Sequence, residues 1–175
     1  MLRRGHTIKT VLTFLLLAVG LGAQSARAGE DLITSAKTAD GDPVPYILDA
    51  VSPDPKYVVI LFPGGSGQMN PHMEDGKLVY GFRGNFLIRT RPFFVDRDFA
   101  TVATNSTGRE VRIQAVLDDL KRRFPGAKVY LAGTSNGTGP TMNLAEYLQD
   151  RIAGVIHTSS RAQIYSFDAR EYRNR

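Results

Sequence analysis

The stretch Lys128–Ala145, KVYLAGTSNGTGPTMNLA, decides how this chain is read. Its first part, Lys128 to Ala132, is a short apolar run of the kind buried on both faces of a parallel sheet. Its last part opens a helical segment, Thr141 to Gln149. Between them lies Gly133-Thr134-Ser135-Asn136-Gly137, a G-x-S-x-G pentapeptide. The pattern alone recurs by chance in chains of this composition, so its context decides its meaning. A tight strand-to-helix turn excludes side chains two residues either side of the serine, which is what the glycines provide. Such a turn lifts the Ser135 Oγ above the sheet edge and leaves backbone N–H groups at the start of the next helix. The alternative is a glycine-rich turn in which the serine only caps a helix.

A second glycine cluster reinforces the first. Pro63-Gly64-Gly65-Ser66-Gly67 follows Tyr57–Phe62, YVVILF, another doubly buried run. A serine nucleophile needs two N–H donors for the oxyanion that forms on the acyl carbon. One comes from the residue after the serine and one from the loop after an earlier strand. Asn136 fits the first role. Gly64, Gly65 or Ser66 fits the second, with Gly65 preferred. A phosphate-binding loop would continue with Lys and then Ser or Thr, and Gln68-Met69-Asn70 does not comply.

The rest of the chain continues the alternation. Val44–Leu48 reads as an early strand at a sheet edge, because Pro43 and Pro45 cannot donate to a ladder. Phe99–Thr104 and Ala153–His157 read as further buried strands. Glu110–Phe124 reads as a helix with Val111, Ala115, Leu117, Leu120 and Phe124 along its apolar stripe. Glu110 at its start and Lys121, Arg122 and Arg123 at its end suit the helix dipole, and Pro125-Gly126 stops it. Gln68–Arg97 allows a short helix or a flap. The expected class is α/β: a three-layer sandwich whose mostly parallel sheet carries helices on both faces.

These residues resemble the α/β-hydrolase superfamily. YVVILFPGG is similar to its third strand and oxyanion loop, and DRDFATVATNS to its fourth strand. KVYLAGTSNGTGPTMNLA is similar to its fifth strand, nucleophile elbow and following helix, and AGVIHTSS to its sixth strand. The likeness covers Val44–Ser160. It implies Ser135 as nucleophile, an oxyanion hole at Gly65 and Asn136, and hydrolysis of an ester, amide or similar acyl bond in a small-molecule substrate. It also exposes a departure. The superfamily places an Asp or Glu and then a His after the elbow. After Ser160 stands RAQIYSFDAREYRNR, with no histidine. The domain is therefore expected to be C-terminally incomplete, a truncated chain lacking the triad histidine. The alternative is a non-catalytic binding module on the same scaffold. His157 at a strand end, His72 near the oxyanion loop and Asp168 as an acid are local substitutes of lesser weight, each readable as an ordinary polar residue.

Composition bounds the remainder. Arg3, Arg4 and Lys9, then the apolar Val11–Leu21, then Ala26-Arg27-Ala28 have the three-part plan of a secretory signal peptide, residues 1–28. Residues 29–175 would form the single domain, exported to the periplasm or secreted, with no membrane attachment after cleavage. Without the leader's four basic residues, 18 basic residues face 17 acidic ones, about +1, so the charge gives no case for nucleic acid. The absence of cysteine excludes thiol catalysis, thiolate metal sites and disulfides. The three histidines, His6, His72 and His157, lack metal-ligand spacing, so no metal is expected. The chemistry requires no cofactor. Asn105-Ser106-Thr107 and Asn136-Gly137-Thr138 match the glycosylation sequon but are given no role.

Overall fold

The computed structural model describes residues 32–159 and the backbone of two short strands beyond them. The expected leader at 1–28 and the Asp168 side chain lie outside the described residues. In chain order the elements are β1 (Leu32–Lys37), β2 (Pro43–Asp49), β3 (Tyr57–Phe62), β4 (His72–Glu74), β5 (Lys77–Val79), α1 (Phe86–Thr90), β6 (Phe99–Ala103) and α2 (Glu110–Arg123). Then follow β7 (Lys128–Thr134), α3 (Thr138–Leu148), β8 (Gly154–Thr158), β9 (Gln163–Ile164) and β10 (Phe167–Asp168).

Six strands form one sheet in the order β1-β2-β6-β3-β7-β8. β1 and β2 pair antiparallel, and β2 meets β6 antiparallel, while β6, β3, β7 and β8 run parallel. β3 sits between β6 and β7, with Ile60 opposite both Val102 and Leu131. Its side chains alternate between two cores. Val58, Ile60 and Phe62 pack with Ile113, Val116 and Leu120 of α2 and Leu144 of α3. Leu61 packs on the other face with Leu87 and Ile88 of α1. Helices therefore cover both faces, and YVVILF is apolar throughout because neither face meets water. Each of these side chains contributes about 1.5–3 kcal/mol by leaving water.

The structure departs from expectation in four places. β8 is not a buried strand: among the described residues it ends the sheet, and none of its residues is fully buried. β2 is not an edge strand: β1 lies outside it. The prolines are tolerated because β6 pairs only with Ile47, Leu48 and Asp49. Beyond that ladder the Pro45 carbonyl accepts from the Thr104 hydroxyl at 3.1 Å, so the Pro45 backbone faces the side where no strand asks it to donate. Val111 is exposed, and the buried stripe of α2 runs instead through Ile113, Val116 and Leu120, with Ala115 and Leu117 beside it. α3 begins three residues early, at Thr138. Pro140 does not prevent this, because the N–H it lacks belongs to the first turn, where no intrahelical partner exists.

Gln68–Arg97, which the sequence left open, holds a hairpin and a short helix. β4 and β5 make a hairpin across Asp75-Gly76, with φ of +48° and +72°, the left-handed pair a two-residue turn requires. α1 follows, with the Asn85 side chain accepting from the Leu87 N–H. Among the described residues, no helix is long and apolar enough to cross a membrane, and no group of three acidic or histidine side chains could hold a metal.

One polar cluster penetrates the first core. Asp119 lies on the buried side of α2 and accepts from the Tyr46 hydroxyl, from Arg122 at 2.9 Å and from Arg123 at 2.8 Å. Arg123 also donates to Thr34 of β1, so the cluster ties the edge strand to the helix. Burial alone would raise the Asp119 carboxyl, but its bonds from Tyr46 and Arg123 outweigh that and hold it below the usual carboxylate range. A carboxyl lowered on folding stabilises the fold above its unfolded value, near pH 4, and that contribution is lost as pH falls through the folded value. Urea denaturation should therefore show stability dropping below about pH 4. Asp119→Asn should flatten that drop and lower stability at pH 7 by about 1–3 kcal/mol.

Candidate active site

β3 and β7 are adjacent, and their carboxyl ends open on the same edge of the sheet. The chain leaves β3 toward β6 on one side, and it reaches β7 on the other side through α2. The connections diverge here, which makes the edge a crevice where open α/β sheets bind ligands. The two glycine clusters singled out in the sequence occupy this crevice.

Ser135 follows β7 directly and begins a 3-10 turn, Ser135–Gly137, that runs into α3. Its φ is +51°, left-handed for a residue with a side chain. Such a conformation costs on the order of 1–3 kcal/mol and persists only where its surroundings impose it. Two glycines impose it. A Cβ on Gly133 would stand 2.6 Å from the Gly137 carbonyl oxygen. A Cβ on Gly137 would overlap the Phe62 carbonyl and stand 2.7 Å from that of Pro63. α3 can start under β7 only because both positions lack side chains. The result is an exposed Ser135 with the amino end of an eleven-residue helix behind it. The Thr138 hydroxyl donates to the Ser135 carbonyl at 2.6 Å and fixes the turn.

The loop after β3 lies against this serine. A Cβ on Gly64 would stand 3.0 Å from the Ser135 Cβ and 3.6 Å from its Oγ. The Gly64 carbonyl accepts from the Gly67 N–H at 3.1 Å. In a trans peptide the N–H points opposite to the carbonyl, so the Gly65 N–H faces away from that turn. Gly65 itself has φ of +62°, with the Phe82 ring packed so close that a Cβ would stand 2.8 Å from it. The Asn136 side-chain amide donates to the Gly65 carbonyl at 3.3 Å. The structure thus brings Ser135, Asn136, Gly64 and Gly65 together, and Gly65, Ser66, Ser135 and Asn136 are all exposed.

The histidines are engaged elsewhere. His157 on β8 has its Nε2 2.9 Å from the Thr141 hydroxyl of α3. The Thr141 hydroxyl also lies 2.9 Å from the Thr138 carbonyl, so His157 Nε2 is held in the α3 hydrogen-bond network. Burial holds the His157 ring below the usual histidine range, so it is neutral at pH 7. His72 lies on the exposed β4 strand, with Nδ1 2.9 Å from the Asn70 carbonyl. Among the described residues, no histidine or carboxylate is hydrogen-bonded to Ser135.

Sequence reasoning overlooked Phe82, Asn105 and Ser106. Asn105 and Ser106 follow β6 and bind the loop after β3 through side chain and backbone. Their signal is short polar residues just past a buried strand, which the strand resemblance and the sequon both cover without pointing to the loop.

No family model matches this chain, and neither does any curated protein. Solved structures do. The Pyrococcus furiosus esterase PF2001 aligns with TM-score 0.57 and 12% identity over 76% of this chain and 50% of that one. XC6422 from Xanthomonas campestris, an α/β serine hydrolase without lid, aligns with TM-score 0.53 and 17% identity over 79% of this chain and 65% of that one. Oligopeptidase B from Trypanosoma brucei aligns with TM-score 0.53 and 15% identity over 78% of this chain and 21% of that one. This chain spans less than two thirds of each of these three proteins.

The backbone at Ser135 can be tested apart from its chemistry. Ser135→Gly and Ser135→Ala both remove the hydroxyl, but only glycine accepts φ of +51° without strain. Ser135→Gly should therefore be more stable than Ser135→Ala by about 1–2 kcal/mol in urea denaturation. Equal stabilities would mean that the left-handed elbow does not persist in solution.

Proposed function

On an α/β-hydrolase fold, we propose that this chain is the nucleophile-bearing part of a serine hydrolase of ester, amide or similar acyl bonds. One observation carries the proposal: the left-handed Ser135 between a buried strand and a helix amino end, with Gly64 against its side chain. In the proposed reaction the Ser135 Oγ bonds to the acyl carbon and its proton passes to a base. The carbonyl oxygen becomes an oxyanion that accepts from the N–H groups of Gly65 and Asn136. Collapse expels the protonated leaving group, and water then hydrolyses the acyl-serine. The substrate is a small acyl compound, and no metal or cofactor takes part.

The base is not assigned to His157, whose Nε2 is hydrogen-bonded to Thr141, nor to His72 on the outer hairpin. We assign it to a histidine other than these two, since among the described residues neither is hydrogen-bonded to Ser135; a partner chain is one source. Support comes from the limited span of this chain over the proteins it resembles in fold. A second reading, a binding module without turnover, draws on the same lack of a base in contact with Ser135 among the described residues.

A fluorophosphonate separates the two. Ser135 should displace fluoride and become phosphonylated, slowly alone and at least about tenfold faster with added imidazole as an external base, since a positioned base contributes about 10²–10⁴-fold. Peptide mass spectrometry should place the adduct on Ser135, and Ser135→Ala should abolish it. A folded chain that stays unlabelled with imidazole present would leave the binding module as the correct reading.

A further inference from the structure

The loop Pro63–Gly67 has to hold its N–H groups still, yet it is short of its own support. Its only internal backbone bond runs from the Gly67 N–H to the Gly64 carbonyl, among the described residues. Gly64, Gly65 and Gly67 carry no side chains that could lock it by packing, and Gly65 and Gly67 both have positive φ. Glycines in such a loop cost entropy to order. Fixation has to come from outside.

It comes from the segment after β6. The Ser106 hydroxyl donates to the Pro63 carbonyl at 2.7 Å, and the Ser106 N–H donates to the Gly67 carbonyl at 2.9 Å. One residue therefore grips both ends of the loop. The fit is tight: a Cβ on Gly67 would overlap the Ser106 Cβ. Asn105 extends the clasp. Its Oδ1 accepts from the Asn70 N–H at 2.7 Å, and its Nδ2 donates to the Asn70 Oδ1 at 2.9 Å.

The Pro63 carbonyl is the informative partner. On one side it faces Gly137, where a Cβ would stand 2.7 Å away. On the other it accepts the Ser106 hydroxyl. The direction of that carbonyl sets the plane of the Pro63–Gly64 peptide, and Gly64 is the residue that touches Ser135. The line of contact runs Ser106 Oγ, Pro63 carbonyl, Gly64, Ser135. A rotation of that peptide would turn the next one as well, and with it the Gly65 N–H.

We propose that Ser106 is a positioning residue for the oxyanion hole, its hydroxyl fixing the Pro63–Gly64 peptide so that the Gly65 N–H meets the oxyanion. This rests on the functional reading above. It goes beyond it in naming a residue that touches neither substrate nor nucleophile and acts only through the loop. The hydroxyl matters as a donor to a carbonyl, so alanine removes the effect while leaving the Ser106 N–H bond to Gly67 intact.

The test is saturation kinetics of fluorophosphonate labelling of the full chain, with imidazole present. The phosphoryl oxygen occupies the oxyanion hole in the bond-forming step, so the hole is read by the maximal rate constant, and prior binding by the half-saturating concentration. Ser106→Ala should lower the maximal rate constant at least about tenfold, less than the 10²–10³-fold lost with a whole donor. The half-saturating concentration should stay within about twofold, since it reports binding made before the oxyanion forms. A merely structural role would move both together or neither. If Ser106→Ala does not fold, Ser106→Cys carries the test, because its thiol fills similar space but donates weakly, and the same fall is expected. Labelling at the unsubstituted rate in the variant overturns the positioning role and leaves Ser135 as nucleophile untouched. A rise in half-saturating concentration with an unchanged maximal rate overturns it too. Failure of the unsubstituted chain to label at all would remove the functional reading, and this role with it.

Discussion

At the carboxyl end of β3 the Phe62 and Pro63 carbonyls lie in contact with Gly137, at a distance no side chain would allow. The rest of the crevice depends on this approach. It lets α3 start directly beneath the sheet edge, and it forces the turn from β7 into α3 to close within Ser135–Gly137. A turn that short has no place for Ser135 in ordinary φ/ψ space, so the serine takes φ of +51°. The same contact brings the loop after β3 to the serine, with Gly64 against its Cβ. Strain, exposure and the neighbouring N–H groups have one origin.

Strain of this size needs a rigid frame. β3 and β7 provide it because each is hydrogen-bonded on both sides and apolar on both faces. Nothing near their carboxyl ends can relax without breaking a ladder or opening a core. The Tyr46–Asp119–Arg123 cluster serves the far side of the frame, where β1 is exposed along most of its length and gains little from burial.

The inner parallel strands were legible in the sequence because double burial leaves a continuous apolar run, and Tyr57–Phe62, Phe99–Ala103 and Lys128–Thr134 all carry one, whereas Gly154–Thr158 ends the sheet among the described residues and is only partly covered. The elbow was legible because its glycines are required by contacts a pentapeptide can encode. β1 was not: LITSAK is mostly exposed and owes its form to pairing with β2, which no local pattern records. Val111 misled because one apolar residue on a helix does not say which way its stripe turns, and the true stripe includes the polar Asp119. The placement of β2 inside the sheet was hidden for a related reason. Its prolines argue for an edge unless one knows that β6 stops short of them. Asn105 and Ser106 were invisible as supports, since their partners at Pro63, Gly67 and Asn70 lie more than thirty residues away.

The account centres on an elbow whose backbone is set before any substrate arrives. A crystal structure of the phosphonylated chain examines that directly. The account predicts phosphorus bonded to the Ser135 Oγ, with one phosphoryl oxygen within about 3 Å of both the Gly65 and Asn136 backbone nitrogens. It also predicts that φ at Ser135 stays near its present +51°. An adduct whose phosphoryl oxygen points to solvent, or a Ser135 that has relaxed to negative φ, would contradict it.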